Sequence, residues 1–414
     1  MTPLTTVLLM VAIPGLIMGA FNWALHPLAV LFEFRQKTPP ALPVRPRVSV
    51  VIPAYNESVV LAGCLDSVLA SGYPDLELLL VDDGSSDDTL QIMRRYEADA
   101  RVTVISKANG GKGSALNAGI ARATGDVFVF ADADGVFTPH TIPRLLEGFR
   151  HDKVGAVCGN DLPINVESPL TALLALMTHV GTGMTRRALA LVGILPIVAG
   201  NSGAFRADVV RELGGFREDT VGEDLELTWR VQFSGYDVEF APHAKVLAEV
   251  PSTLKGLWKQ RVRWQRGLIQ TARIHRARFE QWPSRPVDAY LPLNLLSMLA
   301  LPVLQLAALV LSVVAIAVGD LRFDGLLGML MWAGLGLALG VSVLALILDR
   351  DWRDFRLLVF LPLWVPFSVM MSCVTVAALW HEARGTEARW NKLQRTGVRT
   401  MVGRAGLASG TGTP

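Results

Sequence analysis

Four apolar residues, Val127-Phe128-Val129-Phe130, run almost directly into Asp132 and Asp134 in the stretch VFVFADADG. A buried strand that ends on carboxylates needs a cation nearby, because an unpaired carboxylate is costly to bury. Alternation along an extended chain sends residues 132 and 134 to one face, where they repel each other unless a divalent cation joins them to further oxygens. Mg2+ is commonly held by one or two carboxylates and completed by substrate phosphates. With no other ligand cluster in the chain, the pair points to a metal that arrives with a diphosphate. The plain alternative is a solvated turn.

Other residue patterns carry the same double reading. In VDDGSSDDT, Gly84 makes a turn and Ser85, Ser86 and Asp87 suit a helix cap, which leaves Asp82 and Asp83 at the strand end unexplained. Gly111-Lys112-Gly113-Ser114 looks like a phosphate loop but lacks the Walker spacing. Lys112 opens a helix, where its ammonium and the first amides suit an anion, or it is an exposed lysine. VGEDLELTWRVQFSG is an amphipathic helix opened by Gly222, Glu223 and Asp224. The acids either serve the helix dipole, or one of them is a general base. The glycines of AGNSGAFR permit close backbone approach. LWKQRVRWQRG is a basic helix whose Lys259, Arg261 and Arg266 suit anionic lipid. Its Gln260, Arg263 and Trp264 fit a binding set, with guanidinium for phosphate and indole as a stacking face for a sugar ring.

These residues need elements to place them. VSVVIP, LELLLVDD, VTVIS and VFVFADAD are short apolar runs, separated by helical patterns over Glu57 to Ala70, Asp88 to Ala98 and Lys112 to Ala123. Alternating strands and helices predict an α/β fold with a mostly parallel, Rossmann-like sheet covered on both faces. Ligands in such sheets sit beyond the carboxyl ends of the strands. PAYNES, DDGSSDD and ADADG all follow strands, so their carboxylates gather at one rim.

Around this unit the chain is apolar. It is 51% hydrophobic and only 18% charged, with mean hydropathy +0.38, which points to a partly membrane-embedded protein. A net charge of +2 gives no general attraction for nucleic acid. Cys64, Cys158 and Cys373 lie far apart and read as inert, with neither disulfide nor zinc spacing. Leu4 to Phe34 is long enough to span a bilayer, and the following basic, proline-rich linker over 35–47 belongs in the cytoplasm. Three further apolar stretches are Tyr290 to Val318, Gly325 to Leu348 and Leu357 to Trp380. Three crossings leave the basic segment EARGTEARWNKLQRTGVR outside, against the positive-inside rule. Either the last stretch, with Pro362 and Pro366, re-enters without crossing, or the count is wrong elsewhere. The expected divisions are a transmembrane helix over 1–34, a cytoplasmic domain over 48–285, membrane helices over 286–380 and a basic tail over 381–414 with a disordered end.

PAYNES, VDDGSSDDT, DADG, GNSGAFR, GEDLELTWR and QRVRW, in this order and between membrane helices, resemble a membrane-bound family-2 glycosyltransferase. The resemblance covers roughly Arg47 to Arg273. TLKGLWKQRVRW is most similar to bacterial poly-N-acetylglucosamine synthases, which share a framework with cellulose, chitin and hyaluronan synthases. It implies an inverting transferase that uses a UDP-sugar, of N-acetylglucosamine or glucose, with Mg2+ or Mn2+. By motif, Pro53, Ala54, Tyr55 and Glu57 line the nucleoside pocket, and Asp82 or Asp83 reads the base edge. Lys112 joins the donor site, and Asp132 and Asp134 position the donor and hold the metal, chiefly through Asp134. Asp224 is the base, Gly203 and Glu223 lie on the acceptor side, and Gln260, Arg263 and Trp264 hold the diphosphate and the acceptor end. Gly222 departs from the family's usual threonine but leaves the base in place. The expected acceptor is a growing polysaccharide at the inner membrane. The alternative is a membrane lipid, since ceramide glucosyltransferases carry the same glutamine-x-x-arginine-tryptophan motif. A non-enzymatic scaffold would lack Asp224 or one of the paired aspartates, and all are present.

Overall fold

The computed structural model describes residues 3–35, 45–319, 326–387 and 397. Most of the proline-rich linker, the turn after the second apolar stretch and the end of the tail lie outside the described residues. The chain opens with helix α1 (Pro3–Glu33), then alternates β1 (Val48–Ala54), α2 (Leu61–Leu69), β2 (Leu76–Asp82), α3 (Thr89–Arg95), β3 (Val102–Ser106), α4 (Lys112–Ile120) and β4 (Val127–Phe130). β5 (Val136–Phe137), α5 (Thr141–Leu146) and β6 (Val154–Pro163) follow, then α6 (Pro169–Thr178) and α7 (Thr185–Leu191). The domain closes with β7 (Gly203–Arg206), α8 (Ala207–Glu212), α9 (Glu223–Phe233) and β8 (Asp237–Ala248). The rest is helical: α10 (Leu254–Ile274), α11 (Arg276–Phe279), α12 (Pro286–Ala317), α13 (Leu326–Asp349), a 3-10 segment (Trp352–Leu363) and α14 (Trp364–Ala383).

The eight strands form one sheet in the order β3-β2-β1-β4-β7-β6-β8-β5. β1 pairs in parallel with β2 on one side and β4 on the other, so the direction of winding reverses at β1 and β4. That reversal opens the crevice where α/β sheets bind ligands. All of β1 and β4 is buried, as their unbroken apolar sequences require. The other half of the sheet is mixed: β7 is antiparallel to both β4 and β6, while β8 pairs in parallel with β6.

Two compact units divide the chain, and they do not follow its order. One holds the sheet, with 36–166 and 193–252. The other is helical and gathers 1–35, 167–192 and 253–388, so α6, α7 and α10 pack with the terminal helices. Among the described residues, three stretches in it are long and apolar enough to cross a membrane: Pro286–Ala317, Trp332–Asp349 and Trp352–Ala383.

Candidate active site

The paired aspartates do not continue their strand. β4 stops at Phe130, and the Gly135 N–H donates to the Asp132 carbonyl at 2.9 Å, closing a tight turn. Chain reversal, rather than extended alternation, therefore sets the direction of both side chains. Asp134 is buried and Asp132 partly open. Burial pushes the Cys64 thiol up, and Asp134 and Asp132 push it the same way, so both charges lie by this inert cysteine. Asn201 fastens the turn through its Oδ1, which accepts from the Asp132 N–H at 3.2 Å. Gly135 leaves room for this, since a Cβ there would lie 2.3 Å from that oxygen.

Lys112, the first residue of α4, links the turn to α9. Its Nζ lies 2.7 Å from Asp132 Oδ1 and 3.2 Å from Glu223 Oε1. Burial alone would lower its pKa, but Asp132, Glu223 and Asp224 outweigh burial and raise it. The ammonium is thus held by carboxylates. Asp224 sits in the first turn of α9, with Oδ2 accepting the Gly200 N–H at 3.2 Å. A Cβ on Gly200 would lie 3.0 Å from Lys112 Nζ and 3.4 Å from Asp224 Oδ2. The close approach expected of AGNSGAFR is therefore made at Gly200, toward charged groups. Gly203 lies buried within β7, and its missing side chain makes room for Val198 and the Ala199 carbonyl.

α9 also pins the loop that carries Gly200. Val198 N–H donates to Thr228 Oγ1 at 3.0 Å, Trp229 Nε1 to the Pro196 carbonyl at 3.2 Å, and Gln232 Nε2 to the Leu195 carbonyl at 2.8 Å. The result brings Asp132, Glu223 and Asp224 to one ammonium.

The acids after β2 serve the backbone. Asp83 Oδ1 accepts from Lys107 Nζ at 2.8 Å and the Gly110 N–H at 2.9 Å, and Oδ2 accepts the Gly111 N–H at 2.8 Å. The loop so ordered leads directly into Lys112. Asp82 Oδ1 accepts the Ser85 N–H at 3.2 Å. Asp87 accepts from the Ser58 and Thr89 N–H groups, while the N-cap position of α3 falls on Asp88, which makes no side-chain cap bond. Asn56, which no motif reading singled out, has φ 55 and accepts the Ser86 N–H at 2.7 Å, joining the loops after β1 and β2. Next to it Tyr55 is partly open, while Pro53, Ala54 and Glu57 are buried.

Gln260, Arg263 and Trp264 lie on α10 in the helical unit. Trp264 is 47% exposed, and the Arg261 guanidinium stacks 4.4 Å from its ring centre. Burial lowers the Arg261 pKa to about 10, which leaves it charged at neutral pH.

A doubly covered sheet with a switch-point crevice and charged groups beyond its strand ends has the architecture of a nucleotide-binding α/β domain. Residues 49–214 match the model of glycosyl transferase family 2, so this part of the chain is similar to the domains of that family. The poly-beta-1,6-N-acetyl-D-glucosamine synthase of Staphylococcus aureus is 33% identical over 222 residues, which cover 53% of this chain and 54% of that synthase. The Staphylococcus epidermidis synthase is 32% identical over the same shares. The chain thus spans about half the length of the curated relatives it matches. Over the full fold it is similar to a mannosyltransferase from Pyrobaculum calidifontis solved with GDP-Man and Mn2+, with a TM-score of 0.65. That likeness covers 93% of this chain and 98% of the other at 24% identity.

Proposed function

We propose that the protein is an inverting glycosyltransferase that moves N-acetylglucosamine from its UDP donor to the hydroxyl of a growing polysaccharide. The observation that carries this is the meeting of Asp224, Lys112 and Asp132 around Gly200, beyond the carboxyl ends of the parallel strands. Asp224 takes the proton of the acceptor hydroxyl. The acceptor oxygen forms its bond to the anomeric carbon from the face opposite the leaving group. The bond from that carbon to the phosphate oxygen breaks, and its electron pair leaves with the nucleoside diphosphate. Lys112 lies against Asp132 and Glu223 and so holds the first turn of α9, which carries Asp224, to the aspartate turn. Asp132 and Asp134 would hold Mg2+ or Mn2+, in keeping with the tight turn they share. Such a cation, when bound, neutralises the leaving diphosphate. Gln260, Arg263 and Trp264 are assigned to the diphosphate and the acceptor end on the motif alone.

The synthases with detectable sequence identity favour the polymer and its sugar. A second reading, transfer of a single sugar to a membrane lipid, rests on Gln260, Arg263 and Trp264, whose glutamine-x-x-arginine-tryptophan spacing also resembles that of ceramide glucosyltransferases. Membranes holding the protein, incubated with labelled UDP-N-acetylglucosamine, UDP-glucose or GDP-mannose, separate the readings. A long, chloroform-insoluble product from the first donor supports the proposal, and a one-sugar lipid product overturns the polymer assignment.

We also infer that the sheet domain is cytoplasmic and that residues 350–383 enter and leave the membrane from that same side. Arg187 supports this by pairing with Glu33 at the end of α1 and with Asp349 at the end of α13, at 2.6 and 2.7 Å. Arg266 of α10, just before α12, pairs with Glu382 at the end of α14 at 2.7 Å.

A further inference from the structure

The helical unit holds a second group of ionisable side chains. His179 opens a six-residue π-helical turn, His179–Met184, between α6 and α7. Its ring is buried, with Nδ1 2.6 Å from Asp349 Oδ2 and Nε2 3.2 Å from Asp354 Oδ2. Asp349 is tightly placed: Arg187 Nη1 donates to its Oδ1 at 2.7 Å, and a Cβ on Gly183 would lie 2.5 Å from its Oδ2. Arg350 then turns the chain with φ 55, so that Asp351 faces the same ring. His179, Asp351 and Asp354 each offer one ligand atom, and the three lie within 4.8 Å of one another.

Three features separate this group from a plain ion-pair staple. A ligating imidazole usually donates its other ring N–H to a carboxylate, which is what Nδ1 and Asp349 provide. The 3.2 Å edge between Nε2 and Asp354 Oδ2 suits two atoms each about 2.0–2.2 Å from one metal. Rare π-turns also concentrate at functional positions.

We propose that His179 Nε2 and the carboxylates of Asp351 and Asp354 form a binding site for a divalent cation of the zinc class, with Asp349 fixing the imidazole. A ligand set with one nitrogen suits Zn2+ better than Mg2+, which prefers oxygen alone. The site is therefore chemically distinct from Asp132 and Asp134 and stands whether or not the donor and acceptor assignments do. Partly open Asp351 and Asp354 leave room for water to complete the shell. Binding exchanges the Nε2 proton for the metal and ties the π-turn to the segment after α13, a clip between distant parts of the chain.

The test uses the full chain in detergent, stripped with chelator, dialysed against ZnCl2 or MgCl2 and analysed for bound metal and melting temperature. About one zinc per chain is expected, with no matching magnesium. Asp354→Asn and Asp351→Asn, which keep shape and fold, should each weaken zinc binding roughly tenfold or more. They should also lose the zinc-induced rise in melting temperature. An Asp132→Asn, Asp134→Asn double variant should keep both. Zinc bound equally by wild type and the Asp351 and Asp354 variants, or by none of them, overturns the proposal and leaves an ion-pair staple. Loss of zinc in the double variant alone overturns it too, by assigning the metal to the sheet domain.

Discussion

At the scale of single residues, Asp224 and Asp134 differ in what their carboxylates must do. Asp224 accepts the Gly200 N–H through one oxygen and the Leu225 N–H through the other, and an asparagine keeps the shape and an acceptor for one of these two donors. Asp224→Asn should therefore fold and bind nucleotide normally, while transfer falls roughly 10²–10⁴-fold, the usual contribution of a general base. Turnover and nucleotide affinity measured on one preparation check this. Near wild-type transfer would reduce Asp224 to a helix-terminal acid. Asp134, buried at the turn beside Cys64, is proposed to act through a cation. Asp134→Ala should weaken nucleotide binding far more in Mn2+ than in EDTA. Equal weakening in both would make it a turn residue only.

The elements show why some of this could be read from the chain and some could not. β1, β2 and β4 announce themselves as largely apolar runs because both faces of each are buried, whereas the edge strand β3 leaves Thr103 and Ser106 exposed, and α9 begins at Gly222 and Glu223 as its sequence implies. β6 and β8 carry glycine, proline and charged residues within ten- and twelve-residue strands, so no simple alternation marks them. Asn201 and Gly200 act through contacts with residues some seventy and twenty-four positions away, which no local spacing encodes. Nothing local sets the stretch 167–192 apart, because its helices pack with the terminal helices rather than with the domain that surrounds them in sequence. Asp83 is the sharpest case. In sequence it is a candidate base-reader, but in the fold it accepts from Lys107, Gly110 and Gly111 and so sets where α4 and Lys112 begin. Asp83→Ala strands these donors and should cost about 2–4 kcal/mol of stability. It should also lower transfer through a misplaced Lys112. A variant that melts normally but loses nucleotide affinity would return Asp83 to reading the base.

For the whole molecule, the question is which side of the membrane each helix end occupies. The sequence left a contradiction, since three C-terminal crossings put a basic tail on the wrong side. Ion pairs made by Arg187 and Arg266 supply a way out. Glu33 and Asp349 share Arg187, so the ends of α1 and α13 lie on one side. Glu382 is held by Arg266, with Gln270 donating at 2.9 Å and Arg273 at 3.1 Å, so α14 ends at the level of α10. Along α14, Ser368 and Ser372 meet Gln305 of α12, while Gln265 of α10 donates to both Thr375 and the Met298 carbonyl, so α14 runs antiparallel to α12. A crossing α14 would carry Glu382 about 30 Å away from Arg266, the thickness of the hydrocarbon core. The expected topology has α12 and α13 as the C-terminal crossings and 350–383 as a re-entrant segment. In a background lacking Cys64, Cys158 and Cys373, single cysteines at Ser284, Val318 and Thr386 report it directly. A membrane-impermeant thiol reagent should label positions 284 and 386 in inverted vesicles only, and position 318 in right-side-out vesicles only. Labelling of position 386 from the same side as position 318 would mean that the last segment crosses and that the Arg266–Glu382 pairing does not persist in the bilayer.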